Sequence, residues 1–119
     1  EGEGGVLSRD PAVEEAMDAD PLSHGAMSVP LFSGANDGGE WVLSQAKNFP
    51  SPLLLMHGDA DKLTSYKASA EFAQNAPAAT TTFKRWPGYY HETHNDIGKE
   101  AVIETAIDWI NERIVASRA

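Results

Sequence analysis

The residues Leu53-Leu54-Leu55-Met56-His57-Gly58 form the strongest strand signal in the sequence. The run is continuously apolar instead of alternating, which is typical of strands buried on both faces of a parallel sheet. A second strand is predicted at 80–86, where β-branched and aromatic residues dominate and Pro87-Gly88 closes the segment as a turn. The two segments together predict an α/β fold built around a parallel sheet.

Helices are predicted around these strands. Asp10 can cap a helix whose first position is Pro11, and this helix should end before Pro21. Further helices are predicted at roughly 40–48, 65–75 and 98–115. The second half of the chain then reads β-α-β-α, the right-handed crossover unit of parallel sheets.

Several apolar residues are expected to be buried. In the last helix a stripe at helical spacing predicts core packing; it consists of Ile103, Ala106, Ile107, Ile110 and Ile114. Inner positions are also expected at Met27, Val29, Leu31, Phe32, Trp41, Val42 and Ala46. For the patch Met27–Phe32, a lipid-facing cap is the alternative to core packing. Pro30, Gly34, Gly38 and Gly39 are expected to prevent a long helix in this region.

The composition narrows the function. The chain has 119 residues, enough for one small domain, and a formal net charge of −9. This acidic balance argues against nucleic acid as a partner, because phosphate binding needs clusters of Lys and Arg. The absence of cysteine excludes disulfides and a Cys nucleophile within the chain. The first five residues lack the basic and apolar regions of a signal peptide and read like the inside of a loop.

Two strands are too few for a stable parallel sheet, because such sheets are covered by helices on both faces. We therefore expect further strands from elsewhere. Either the chain is part of a longer polypeptide, or it pairs with a second one.

An acid and an imidazole follow the two strands. Asp61 lies just past the first strand and His91 just past the second, so both are expected at the carboxyl edge of one sheet. A serine nucleophile needs an imidazole to take its proton and a carboxylate to orient that imidazole. Asp59 is the competing candidate for the acid. Two non-catalytic interpretations are also open: Asp61 could cap the following helix, and His91 could be a structural residue.

The chain order acid-then-histidine is that of α/β hydrolases, which place a serine upstream in a G-x-S-x-G turn. None of the serines in this sequence has that context. The nucleophile is therefore expected outside these residues.

The stretch from Leu53 to Thr64 and the segment Pro87-Gly88-Tyr89-Tyr90-His91-Glu92 resemble the acid and histidine loops of the monoacylglycerol lipase (lysophospholipase-like) family. Residues 6–10 and 20–22 resemble that family's return from the cap to the core. The resemblance implies that 1–49 form cap-return and connecting helices, and that 50–119 form the C-terminal part of an α/β-hydrolase core with a mainly parallel sheet. By the same resemblance, Asp61 is the triad acid and His91 the triad base, while Leu63, Tyr90 and Glu92 line the substrate pocket.

The function implied is that of a serine ester hydrolase acting on monoacylglycerols or similar lipid esters, completed by an N-terminal portion with the serine and the oxyanion hole. No cofactor is expected, and a cytoplasmic location with peripheral membrane contact fits the chain. Two alternatives stay open: an epoxide hydrolase or dehalogenase with an Asp nucleophile, and a non-catalytic interaction module. A metal site at His91 and His94 is disfavoured, since the two histidines lie one residue too close for the H-E-x-x-H motif.

Overall fold

The computed structural model describes residues 5–119. Within that range, two strands and four α-helices follow the order α1 Pro11–Ala19, α2 Val29–Ser44, β1 Leu53–Gly58, α3 Tyr66–Asn75, β2 Thr81–Trp86 and α4 Lys99–Arg118. Short 3₁₀ turns lie at Ala46–Asn48 and Thr93–Asn95. The second half confirms the predicted β-α-β-α order, and part of the predicted cap-return segment, residues 1–4, lies outside the described residues.

The two strands pair in parallel, as predicted. Leu53 lies opposite Thr81 at one end of the ladder, and Gly58 lies opposite Trp86 at the other. Both strands therefore end at the same edge, which places the loops after Gly58 and after Trp86 side by side. This edge is where the sequence predicts Asp61 and His91.

Helix α1 begins where the sequence predicts. Asp10 accepts a hydrogen bond from the backbone N–H of Ala12 at 3.0 Å, and Pro11 takes the first helical position. Ser65 caps α3 in the same way, accepting from the N–H of Ala68 at 3.1 Å. Both caps satisfy N–H groups that have no partner inside the first helical turn.

Helix α2 corrects one prediction. A break was expected around Pro30 and the glycines, yet one helix runs from Val29 to Ser44. Pro30 lies in its first turn, where a missing N–H costs nothing, and Ser28 caps the turn by accepting from Leu31. Each interior glycine costs only about 1 kcal/mol relative to alanine, which weakens a helix without ending it.

The burial predicted along this helix is wrong for most positions. Ala46, just after α2, is buried as predicted, at 1% exposure. Exposed instead are Met27, Val29, Leu31, Phe32, Trp41 and Val42. The apolar face of α2 extends beyond the elements that could cover it among the described residues.

The inner face of α4 also differs from the prediction. Val102 is buried at 1% exposure, and the indole N–H of Trp109 donates to the hydroxyl of Thr82 on β2 at 2.9 Å. Ala106 is half-buried. About half-exposed are Ile103, Ile107, Ile110 and Ile114. The isoleucine stripe lies one position around the helix from the face that contacts the sheet, and no described element covers it.

The chain leaves more surface exposed than an independent domain of its size. Its radius of gyration is 16.5 Å, whereas a compact chain of this length would have about 13.5 Å. Its accessible surface is 8423 Å², against roughly 6,300 Å² for a folded monomer of this mass. The residues of β1 before Gly58 are half-buried, not buried, because helix α3 and strand β2 cover only part of the strand.

We expect the 119-residue chain expressed alone to lack a cooperative thermal transition. A folded domain of this length should absorb about 80 kcal/mol at its midpoint, whereas exposed apolar faces favour a loosely packed state that binds hydrophobic dyes. Calorimetry and dye fluorescence measure both properties. A sharp transition near that enthalpy, without dye binding, would show that two strands suffice.

Candidate active site

Asp61 lies in the loop after β1 and is held by its own neighbours. One carboxylate oxygen, Oδ1, accepts from the backbone N–H of Leu63 at 2.8 Å and of Thr64 at 3.0 Å. The other oxygen, Oδ2, accepts from the hydroxyl of Thr64 at 2.7 Å. The side chain is 1% exposed. The loop therefore presents a buried carboxylate in a single orientation.

The environment of Asp61 favours its ionised form. Burial by itself would raise the pKa of Asp61, but hydrogen bonds from Thr64, His91 and Leu63 outweigh burial and hold the pKa well below its usual range. A carboxylate that stays ionised accepts hydrogen bonds only. Every nitrogen that approaches it closely must therefore carry a proton.

His91 reaches Asp61 because the loop after β2 lies against the end of β1. The N–H of Ala60 donates to the carbonyl of Tyr89 at 3.1 Å. A Cβ atom at Gly58 would collide with the carbonyl oxygens of Tyr89 and Tyr90, so only glycine permits this approach. Gly58 thus ends the strand and also allows the two loops to touch.

The acid and the imidazole meet directly. His91 Nδ1 lies 3.0 Å from Asp61 Oδ2. Because Asp61 is ionised, Nδ1 carries the proton and the second nitrogen, Nε2, is left as a base in the neutral ring. The imidazole is 34% exposed, and no serine of residues 5–119 hydrogen-bonds it. This arrangement can take a proton from a hydroxyl brought to Nε2.

Asp59, the competing acid, has a different role. Its carboxylate accepts from the guanidinium of Arg85 at 2.7 Å and from the N–H of Gly88 at 2.6 Å. Gly88 has a φ of 78°, a left-handed conformation that favours glycine. The hydrogen bonds from Gly88 and Arg85 lower the pKa of Asp59. Asp59 therefore braces the turn after β2, while Asp61 contacts the imidazole.

Asp96 holds the histidine loop from behind, and sequence reasoning missed it. Its Oδ2 accepts from the N–H of Tyr90 at 2.8 Å, directly before His91. Its Oδ1 accepts from the N–H of Ile97 at 2.7 Å and from the side chain of Arg9 at 2.8 Å. The carboxylate is fully buried. In the sequence Asp96 reads only as a polar residue before a helix, so no signal points to this contact.

The three predicted pocket residues occupy different places. Leu63 is 51% exposed beside Asp61. The ring of Tyr90 is half-buried, with the Lys62 ammonium 4.7 Å from its centre. Glu92 accepts from the side chain of Asn95 at 2.8 Å and faces a cleft next to α1. Leu63 and Tyr90 thus flank the acid and the base, whereas Glu92 lies on the far side of the loop.

The His91–His94 segment forms no helix that could hold a metal between two imidazoles. Thr93–Asn95 is a 3₁₀ turn, and His94 is exposed. Within residues 5–119 no group of three His, Asp or Glu side chains is placed to hold a metal ion.

In the same range no helix is long and apolar enough to cross a membrane.

A parallel sheet with an acid loop after one strand and a histidine loop after the next defines the C-terminal part of an α/β hydrolase. Comparison with known proteins agrees. The Hydrolase_4 family, described as serine aminopeptidase, S33, matches residues 1–98. The chain belongs to this family.

Individual relatives point the same way. An abhydrolase domain-containing protein of Dictyostelium discoideum, itself uncharacterized, is 36% identical over 92% of this chain and 12% of its own length. The monoacylglycerol lipase of Mycolicibacterium smegmatis is 30% identical over 88% of this chain and 38% of its own length. The crystal structure of Paleococcus ferrophilus monoacylglycerol lipase superposes with a TM-score of 0.82 at 28% identity, over 87% of this chain and 41% of that one. The chain thus spans less than half the length of each.

Proposed function

We propose that the intact protein is a serine ester hydrolase that cleaves monoacylglycerols or similar lipid esters. The observation that carries the proposal is the 3.0 Å contact between His91 Nδ1 and the buried Asp61 Oδ2. It is the acid–base half of a triad, at the sheet edge where hydrolases of this fold carry one. The relatives named as monoacylglycerol lipases supply the substrate class.

In this proposal the serine and the oxyanion hole come from an N-terminal portion of the same hydrolase. Support comes from the half-buried strand β1, the uncovered isoleucine stripe of α4 and the apolar groove of about 350 Å³ between α2, β1 and α3. All three are surfaces that further elements of an α/β sheet would cover.

The reaction follows from the protonation states. His91 Nε2 takes the proton of the serine hydroxyl while the serine oxygen attacks the ester carbonyl carbon. The tetrahedral intermediate collapses as His91 gives the proton to the departing glycerol oxygen. Water then enters and attacks the acyl carbon while His91 takes its proton, and His91 returns this proton to the serine oxygen as the fatty acid leaves. Asp61 stays ionised and stabilises the imidazolium in both halves.

Substrate contacts are proposed for Leu63 and Tyr90, which flank the acid and the base, and not for Glu92, whose side chain faces the cleft next to α1. Leu63 presents an exposed apolar side chain next to the acid, as an acyl chain requires. We also propose a cytoplasmic location with peripheral membrane contact. The exposed apolar residues of α2 support that contact, since a lipid ester is most concentrated at a membrane.

A fluorophosphonate should label the intact protein once, on a serine outside residues 1–119. His91→Ala should slow the labelling by roughly 10³-fold or more, because the serine would lose its base. Mass spectrometry of the peptides locates the adduct. The exposed His94 gives the matched control, and His94→Ala should label at the wild-type rate.

Three results would contradict the proposal. An adduct on a serine within this chain would mean that the nucleophile lies here. Ester or epoxide turnover without any adduct would favour an Asp nucleophile, as in epoxide hydrolases and dehalogenases. Because the family description names an aminopeptidase, the preparation should also be assayed on an aminoacyl anilide. Faster cleavage of that amide than of a monoacylglycerol would overturn the ester assignment.

A further inference from the structure

A second imidazole contacts the carboxylate of Asp61. His57, near the end of β1, places its Nε2 3.0 Å from Asp61 Oδ2, the same oxygen that His91 contacts at the same distance. The His57 side chain is 12% exposed, against 34% for His91. One histidine thus faces solvent, while the other approaches the acid from within the fold.

The proton positions on His57 follow from its two neighbours. His57 Nε2 lies 3.0 Å from an ionised carboxylate, and the attraction between that charge and an N–H group favours the proton on Nε2. Its other nitrogen, Nδ1, is then the acceptor in the neutral ring, and the hydroxyl of Ser69 on α3 lies 2.7 Å from it. Ser69 therefore donates to His57, and the Nε2 side of the His57 ring lies against Asp61 as a close electrostatic contact. Ser69 selects the tautomer that Asp61 requires.

The ring of His57 is also fixed by packing. It meets the ring of Tyr66 edge to face, with centroids 5.8 Å apart. Such pairs favour one relative orientation. With Ser69 on one side and Tyr66 on the other, His57 has little freedom to turn away from Asp61.

Asp61 Oδ2 consequently has three close polar neighbours, of which Thr64 and His91 form hydrogen bonds and His57 is an electrostatic contact. The hydroxyl of Thr64 is 2.7 Å away, and this hydroxyl lies 3.5 Å from His57 Nε2 and 3.4 Å from His91 Nδ1. Thr64 therefore sits between the two imidazoles. His57 and Thr64 hold the oxygen in place from the protein side, and His91 binds its open side.

We propose that His57, with its tautomer set by Ser69, is a positioning residue that orients Asp61 toward His91. It touches neither substrate nor nucleophile and acts only through the carboxylate. This inference rests on the proposed function, because orientation of the acid matters only if His91 is the base. Ser69 is then a donor to His57 and not a nucleophile.

The test compares two replacements of His57 in the intact protein. His57→Leu removes the polar contact with Asp61 and should lower kcat for p-nitrophenyl butyrate roughly 10- to 50-fold, with KM within about threefold, the range for residues that orient a catalytic group. His57→Gln keeps an N–H for Asp61 and an oxygen for Ser69. It should restore kcat to within about fivefold of wild type. The exposed His94 again provides the control, with His94→Leu at the wild-type rate.

Ser69 adds an independent measurement. Ser69→Ala should lower kcat in the wild-type background and have no further effect in His57→Leu, because its hydroxyl acts only through His57. The proton resonance of His91 Nδ1–H should move in His57→Leu and return in His57→Gln. Loss of general stability would not produce this pattern.

The outcomes separate the two proposals. If His91→Ala keeps full activity, the proposed function is wrong, whatever His57 does. If His91→Ala is inactive but His57→Leu and His57→Gln have equal kcat, whether both normal or both reduced, the positioning role is overturned. Additive effects of Ser69→Ala and His57→Leu would also overturn it. If His57→Leu fails to fold, the His91 Nδ1–H resonance is compared in Ser69→Ala and His57→Gln. A shift in Ser69→Ala without a shift in His57→Gln supports the positioning role, and any other pattern contradicts it.

Discussion

Asp61→Asn is expected to lower kcat of the intact protein roughly 10⁴-fold with little change in KM. The reason is that Asp61 accepts four hydrogen bonds and gives none, and that a fifth group, His57 Nε2, lies 3.0 Å from it. The four donors are the backbone N–H groups of Leu63 and Thr64, the Thr64 hydroxyl and His91.

Asparagine cannot replace this set, because it has one acceptor oxygen and an NH₂ group that donates. With the NH₂ group toward His91, the imidazole must accept at Nδ1, so its proton moves to Nε2 and the base is lost. With the NH₂ group turned inward, it opposes the N–H groups of Leu63 and Thr64. Either orientation of the amide disturbs the loop after β1 or the tautomer of His91. The loss should appear in kcat because the substituted side chain does not change substrate binding.

The matched control is the neighbouring carboxylate. Asp59 contacts Arg85 and Gly88 and not the imidazole. Asp59→Asn keeps an oxygen for only one of these two donors, but because neither donor contacts the imidazole, kcat should change by no more than about threefold. Steady-state kinetics on a monoacylglycerol measures both variants. Near-normal turnover in Asp61→Asn, or a larger loss in Asp59→Asn, would mean that the triad acid has been assigned to the wrong residue.

Asp96→Ala is expected to lower the free energy of unfolding by about 2–4 kcal/mol, because removal of this fully buried carboxylate would leave its hydrogen-bond donors unpaired. Those donors are the N–H groups of Tyr90, Ile97 and Arg9 and the Arg9 guanidinium. The loss stays moderate because the Arg9 side chain is 32% exposed, so water can replace part of its hydrogen bonding. Since Tyr90 precedes His91, kcat should fall as well.

The pH dependence provides a second readout on Asp96. Burial by itself would raise its pKa, but hydrogen bonds from Tyr90, Arg9 and Ile97 lower the pKa below its usual value of 3.8. A carboxyl with a lowered folded-state pKa stabilises the protein above 3.8 and loses this contribution as pH falls through the folded-state pKa. Asp96→Asn should therefore lose less stability than wild type between pH 6 and pH 3.

Denaturant unfolding of the intact protein at these two pH values measures both effects. Asp108 on α4 is exposed, and Asp108→Ala should change the free energy of unfolding by no more than about 0.5 kcal/mol. If Asp96→Ala is as mild as this control, or Asp96→Asn keeps the wild-type acid sensitivity, Asp96 does not hold the histidine loop.

Much of the fold could be predicted because its signals are local. The apolar run at 53–58 and the β-branched run at 80–86 become the two strands, and Asp10-Pro11 starts α1. The region from 21 to 48 was predicted less well. Proline and glycine indicate a break when they lie inside a helix. Pro30, however, lies in the first turn of α2, where proline is tolerated.

Burial was harder to predict, because periodicity identifies an apolar face and not the element that covers it. The stripe of Ile107 and its neighbours is apolar at helical spacing, yet Val102 and Trp109 contact the rest of the chain. Apolar residues with no covering element remain exposed.

The sequence by itself determined the order of strands and helices, the parallel sheet and the two loops that carry Asp61 and His91, because these depend on residue type and spacing. Family resemblance points to Asp61 as the acid, but only the tertiary structure shows its carboxylate at the imidazole and that of Asp59 at Gly88. The tertiary structure also revealed His57 and Asp96 behind the pair. His57 on β1 contacts Ser69 on α3, and Asp96 contacts Arg9 near the N-terminus. Hydrogen bonds between such distant segments leave no spacing pattern in a sequence.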